Sequence, residues 1–156
     1  MKHTVFTSSV IDAPVDEVWA LVRDFNALPQ WHPVVSESTI EAGHPGDRVG
    51  CVRHFVLVTG ESVRERLMTL CDISRICSYS LLDGPLPVRD YVASLQLRPV
   101  TDGNRTYIDW RAEFSCAPDD EMATRLRIGT IFQDGFDALK RHFESRDPVV
   151  AGTVQA

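Results

Sequence analysis

The sequence predicts an α+β fold: a seven-stranded, curved antiparallel sheet wrapped around a long C-terminal helix, with two short helices after strand one and an internal cavity. Three observations predict it. Residues 34–116 alternate with period two and are cut by closely spaced turn signals. From Pro118 to about residue 145, apolar residues recur every three or four positions. Two short stretches of helical spacing separate the first strand from the alternating block. Such short connections imply an antiparallel meander. One helix is too narrow to fill the trough of so wide a sheet, which is what leaves the cavity.

Each element has its own signal. Residues 3–11 (HTVFTSSVI) read as the first strand. Pro14 suits the first helical position, Asp16 and Glu17 suit the positive end of the helix dipole, and Val15, Val18, Trp19 and Val22 share one face. A second helical piece, NALPQWH, ends before Pro33. Candidate strands follow at 34–42, 48–58, 61–72, 75–83, 90–100 and 105–116. In the last helix, Met122, Leu126, Gly129, Phe132, Phe136, Leu139 and Phe143 form the expected core stripe. Gly129 and Gly135 are expected to allow close packing on the sheet. One domain is expected over 1–147, with a loose tail at 148–156.

The 156 residues are enough for one domain with a real core, burying roughly 70% of the surface the unfolded chain would expose. With 16 Lys+Arg against 22 Asp+Glu, the net charge of −6 argues against nucleic acid or an anionic membrane surface as the main partner. No apolar run is long enough to insert in a membrane, and MKHTVFTSSVIDAP lacks the apolar centre of a signal peptide. A cytoplasmic location is expected. Cys51, Cys71, Cys77 and Cys116 form no CxxC pair and read as small hydrophobes. The five histidines form no HExxH-type cluster, and there is no GxSxG, phosphate loop or dinucleotide fingerprint. No metal and no cofactor are expected.

Strand alternation separates inward from outward residues. In 61–71 the odd positions Glu61, Val63, Glu65, Leu67, Thr69 and Cys71 form the face that is apolar around its middle, so Glu65 looks inward between Val63 and Leu67. In 90–99 the inward set is Tyr91, Ala93, Leu95 and Leu97; in 105–116 it is Ile108, Trp110, Ala112 and Phe114. Both faces of 48–58 are largely apolar, and the hairpin register decides between them. A three-residue loop, Val58-Thr59-Gly60, puts glycine at the left-handed position and sets Arg53 opposite Glu65. A two-residue loop would set His54 there.

An inward carboxylate is costly unless paired, and Arg53 would supply a fork of donors. Glu65 as base, Arg53 stabilising negative charge and Tyr91 as proton donor could carry proton transfer. The same pair could equally be structural, or could anchor the polar end of a ligand. Asp83-Gly84-Pro85-Leu86-Pro87 reads either as a rigid hairpin loop or as a lid with Leu86 over a ligand. Trp31-His32-Pro33 either lines or closes the same region, or its tryptophan packs in the core.

These motifs resemble the START-like, helix-grip superfamily, which includes polyketide cyclases, plant lipid and hormone binders and birch-pollen-type allergens. IDAPVDEVWALVRDFNALPQWHP is similar to the usual start of the cyclase/dehydrase branch, and the resemblance runs to about residue 145. GCVRHF (50–55), VRERL (63–67), CSYSLLDGPLPVRDYVASLQLRPV (77–100) and YIDWRAEF (107–114) resemble the plant lachrymatory-factor synthase family. That family rearranges a small sulfenic acid to a thial S-oxide by proton transfer. The resemblance carries its Arg, Glu and Tyr onto Arg53, Glu65 and Tyr91. Here the turn between GCVRHF and VRERL is shorter and GPLP precedes Tyr91, so the plant substrate is not carried over.

The expectation is therefore a cavity for a small, mostly apolar molecule with one polar group, lined by Trp31, Phe55, Leu67, Tyr79, Leu86, Leu95, Trp110, Phe114, Phe132 and Phe136. A cofactor-independent cyclase, dehydratase or isomerase acting through Arg53, Glu65 and Tyr91 is one reading. A non-catalytic carrier or sensor of a lipid-like or polyketide-like ligand is the other. A protein-interaction module would instead show a filled core and an exposed apolar patch. Either a monomer or a homodimer fits.

Overall fold

The computed structural model describes residues 1–144; positions 145–147 and the expected tail 148–156 lie outside the described residues. Strand β1 (Lys2–Ile11) leads into helices α1 (Val15–Val22) and α2 (Leu28–Trp31). The meander β2 (Val35–Ile40), β3 (Val52–Leu57), β4 (Ser62–Cys71), β5 (Ile76–Asp83), β6 (Arg89–Val100) and β7 (Arg105–Ser115) follows, then helix α3 (Glu121–Glu144). The seven strands form one antiparallel sheet in the order β1-β7-β6-β5-β4-β3-β2. Consecutive hairpins make that order, and the first strand closes it by pairing with the last. The expected seven-stranded sheet with a long C-terminal helix is present.

The β3–β4 hairpin has the three-residue loop expected from its glycine. Leu57 N–H donates to the Glu61 carbonyl at 2.8 Å, and Gly60 adopts φ +95°, a conformation costly for any residue with a Cβ. The register that follows pairs Arg53 with Glu65.

Elsewhere the backbone departs from simple alternation. Pro14 precedes α1 as its cap with ψ 144°, one position earlier than expected, and its carbonyl accepts from Val18 N–H at 3.2 Å. Strand β3 starts only at Val52, because the chain before it turns through Gly50 at φ +95°. A bulge between Leu67 and Thr69 shifts β4 against β5, so Thr69 is exposed, Cys71 is half-buried and Leu70 packs on the core instead. A second bulge sits at Asp90–Tyr91, where Asp90 takes φ +53°. Such bulges re-aim side chains, and this one turns Tyr91 inward against Phe114.

Helix α3 buries Phe132, Phe136, Leu139 and Phe143 of the expected stripe but departs from it in its first turns. Thr124, Ile128, Phe132, Gly135, Phe136, Leu139 and Phe143 face the sheet, whereas Met122 and Leu126 are 76% and 67% exposed. Leu126 precedes Phe132 by six residues, which puts it on the far side of a 3.6-residue helix. Gly129 meets nothing within 4 Å, so its expected close packing is absent. Gly135 does pack closely: a Cβ there would stand 2.7 Å from Trp110 Cζ3 and 3.1 Å from His32.

Candidate functional site

Between the concave face of the sheet and α3 lies a cavity with about 660 Å³ free of protein atoms, including its open mouth. Its wall is mostly apolar, with Phe55, Val63, Leu86, Trp110 and Phe132 among the lining residues. Polar groups enter it at few points, and each has a structural origin.

Arg53 and Glu65 arrive as cross-strand partners on β3 and β4, with side chains only 7% and 9% exposed. Arg53 Nε donates to Glu65 Oε1 at 2.9 Å and Nη2 stands 2.7 Å from the same oxygen. Arg53 Nη1 donates to the Phe25 carbonyl at 3.1 Å, and the guanidinium lies 4.0 Å from the Phe25 ring and 4.8 Å from the Tyr79 ring. Two aromatic faces and three polar contacts hold it in one pose. Glu65 Oε2 accepts no hydrogen bond among the described residues. Burial pushes the Glu65 carboxyl up, with Arg53 pulling the other way.

Two phenols share this end of the cavity. Tyr79, on β5, accepts the Trp110 indole N–H at 3.0 Å, which leaves its own proton free to be donated. Tyr91 is buried, yet its hydroxyl has no hydrogen-bond partner among the described residues. Burial raises both phenols, so both are protonated donors at neutral pH.

His32, from the Trp31-His32-Pro33 segment, also lines the cavity. Its Nε2–H donates to the Ile131 carbonyl at 2.9 Å, and Nδ1 accepts from Val34 N–H at 3.4 Å. Both nitrogens are then used by the neutral ring, and burial lowers its pKa accordingly. The ring occupies the notch that Gly135 leaves in α3, beside Trp110. A glycine in the middle of a long helix was the available signal for this contact.

The structure brings Arg53, Glu65, Tyr91, Phe55, Tyr79, Leu86, Trp110 and Phe132 together on the wall. It does not bring Trp31, Leu67, Leu95, Phe114 or Phe136 there. All five are buried behind the lining, where Trp31, for instance, packs on His32 and Trp110. Inward facing is necessary for lining a cavity but not sufficient, because most inward positions fill the core. The expected loop contributes Gly84, Pro85 and Leu86. Among the described residues, no three His, Cys, Asp or Glu side chains are grouped to hold a metal ion, and no helix is long and apolar enough to cross a membrane.

Comparison with known proteins agrees with this architecture. Over 92 residues the chain is 32% identical to the abscisic acid receptor PYL7 of Arabidopsis thaliana, covering 57% of this chain and 42% of the receptor. It thus spans less than half the length of that relative. The structure of the protein XoxI from Bacillus cereus superposes with a TM-score of 0.81 at 29% identity, covering 90% of this chain and 94% of that one. Norcoclaurine synthase from Thalictrum flavum, in complex with dopamine and hydroxybenzaldehyde, superposes with a TM-score of 0.75. At 16% identity, and with 94% and 89% of the two chains covered, that likeness speaks for the fold alone. A family model described as polyketide cyclase / dehydrase and lipid transport matches residues 2–144. The chain belongs to the polyketide cyclase / dehydrase and lipid transport family.

Proposed function

We propose that the protein binds a small, mostly apolar molecule in this cavity and moves a proton on it without a cofactor. One observation carries the reading. Arg53 crowds both of its contacts onto Glu65 Oε1 and leaves Oε2 without a hydrogen bond, on a side chain that lines the cavity. A carboxylate kept only for structure gains most by sharing its two oxygens with the guanidinium fork. One oriented by a single oxygen keeps its other lone pairs for a substrate proton.

Glu65 takes a proton from a carbon or hydroxyl of the bound molecule. Arg53 stabilises the negative charge that develops, and the Tyr91 hydroxyl returns a proton at a second position. The proton held on Glu65 then passes to the Tyr91 phenolate, which restores both groups. The net change is an isomerisation, or a cyclisation or dehydration where the shifted electrons close a ring or expel hydroxide. The apolar wall keeps water from competing for the intermediate. In this reading Leu86 and its flanking prolines form a cover over the ligand, and the protein works in the cytoplasm.

The rival reading is a carrier or sensor in which Arg53 and Glu65 only anchor a polar group. The plant relative matched over 92 residues is a receptor, which supports this second reading. Native mass spectrometry of the purified protein for a co-purified small molecule separates the two. Catalysis is supported if a compound accumulates on Glu65→Gln and Tyr91→Phe but is converted by wild type. The same compound bound unchanged by all three makes the protein a carrier.

A further inference from the structure

Apart from Arg53 and Glu65, the cavity wall holds one more charged residue, Arg127 on α3, among the described residues. Its position follows from the helix. Arg127 lies one turn before Ile131, which also lines the cavity, and the side chain is 45% exposed, so it stands at the mouth. Its one ionic partner there is Glu61, 3.8 Å away and 48% exposed. A pair that long and that wet contributes little. Glu61 is in any case held by its own hairpin, since Thr59 Oγ1 donates to Glu61 Oε1 at 3.0 Å. Arg127 can exchange partners at small cost.

Strand geometry gives the distance from the mouth to the inner pole. Glu61 and Glu65 share one face and are four residues apart, so about 13 Å separates them along the strand. Arg127 meets Glu61, at the outer end of that span. The wall between the two poles is apolar, with Val63, Leu57 and Ile131 on it.

We infer that Arg127 is the outer anchor of the ligand, and that the ligand class is an amphiphile whose anionic end, a carboxylate, replaces Glu61 at the mouth. The apolar body then reaches inward to Glu65 and Tyr91. This rests on the cavity being the binding site. It adds an orientation to it: anion outward, reacting group inward. The alternative, a carboxylate carried inward to Arg53, would displace a guanidinium already bound to Glu65, the Phe25 carbonyl and two rings.

The test compares decanoate with decanol, followed by tryptophan fluorescence, in wild type, Arg127→Gln and Glu61→Gln. Both substituted residues are half-exposed, so the variants keep the fold. Wild type is expected to prefer decanoate by about tenfold, the worth of one charge-assisted hydrogen bond. Arg127→Gln should erase that preference, while Glu61→Gln should tighten decanoate further. Raising the salt concentration should weaken the decanoate preference in wild type. A decanoate preference that survives Arg127→Gln overturns the inference and leaves the cavity as the binding site. Failure of wild type to bind either probe overturns the binding reading as well.

Discussion

Arg53 and Glu65 face each other across β3 and β4 with both guanidinium contacts, at 2.9 and 2.7 Å, on one carboxylate oxygen. Taking two charges out of water costs several kcal/mol, and their attraction offsets it only while both are present. Arg53→Met should therefore destabilise the protein by about 3–5 kcal/mol, because an unpaired carboxylate stays buried. The double variant Arg53→Met with Glu65→Leu should recover most of that loss. Urea unfolding of the single and double variants measures the coupling. A double variant no more stable than Arg53→Met would mean that the arginine acts mainly through its stacking on Phe25 and Tyr79.

The two helical glycines of α3 should respond in opposite directions to alanine. At Gly129 a Cβ meets nothing within 4 Å, so Gly129→Ala should stabilise by up to about 1 kcal/mol through helix propensity. At Gly135 the same methyl would press on the Trp110 ring at 2.7 Å. That ring is stacked on Phe132 at 4.4 Å and cannot retreat. Gly135→Ala should destabilise by about 1–3 kcal/mol, as overpacking does. Thermal melts of the two variants decide it, and a rise in Tm for Gly135→Ala would show that the notch for His32 is looser than described.

His32 should make stability depend on pH in one direction. Burial lowers its pKa below the ordinary 6.5, opposed by the hydrogen bond to the Ile131 carbonyl and by Asp134, and reinforced by Arg53. The unfolded chain then takes up this proton first. The neutral ring's contribution is complete above about 6.5 and is lost as pH falls toward the lower folded value. Glu65, raised by burial, has the opposite sign: its contribution is lost as pH rises through its folded value. Subtracting the pH–stability curve of His32→Gln from that of wild type isolates the histidine. The difference should shrink as pH falls below 6.5; a difference that stays constant contradicts a buried neutral ring.

What could be read before any coordinates was what short-range rules control. Gly60 dictates the hairpin loop, the loop dictates the register, and the register puts Arg53 beside Glu65. Val63 and Leu67 on either side of Glu65 mark it as inward. Alternation fails at Met68, where a bulge inserts a residue without any composition signal, and Thr69 and Cys71 are misplaced as a result. The α3 stripe holds from Phe132 to Phe143 but not in the first turns, where Met122 and Leu126 are apolar yet lie outside the sheet's reach and Thr124 is polar and buried. The place of Arg127 at the cavity mouth depends on how α3 docks on the sheet, which no local pattern encodes. The same docking decides which inward residues line the cavity and which fill the core.

The central claim is that the space between the sheet and α3 receives an apolar molecule. The chain has three tryptophans, and their indole N–H groups report on it separately. Trp110 lines the cavity and donates to Tyr79, while Trp19 donates to Asp72 at 2.8 Å on another part of the fold. Titrating decanol into nitrogen-15-labelled protein should shift the Trp110 indole resonance saturably and leave that of Trp19 in place. Equal movement of both, or movement of Trp19 alone, would contradict the account.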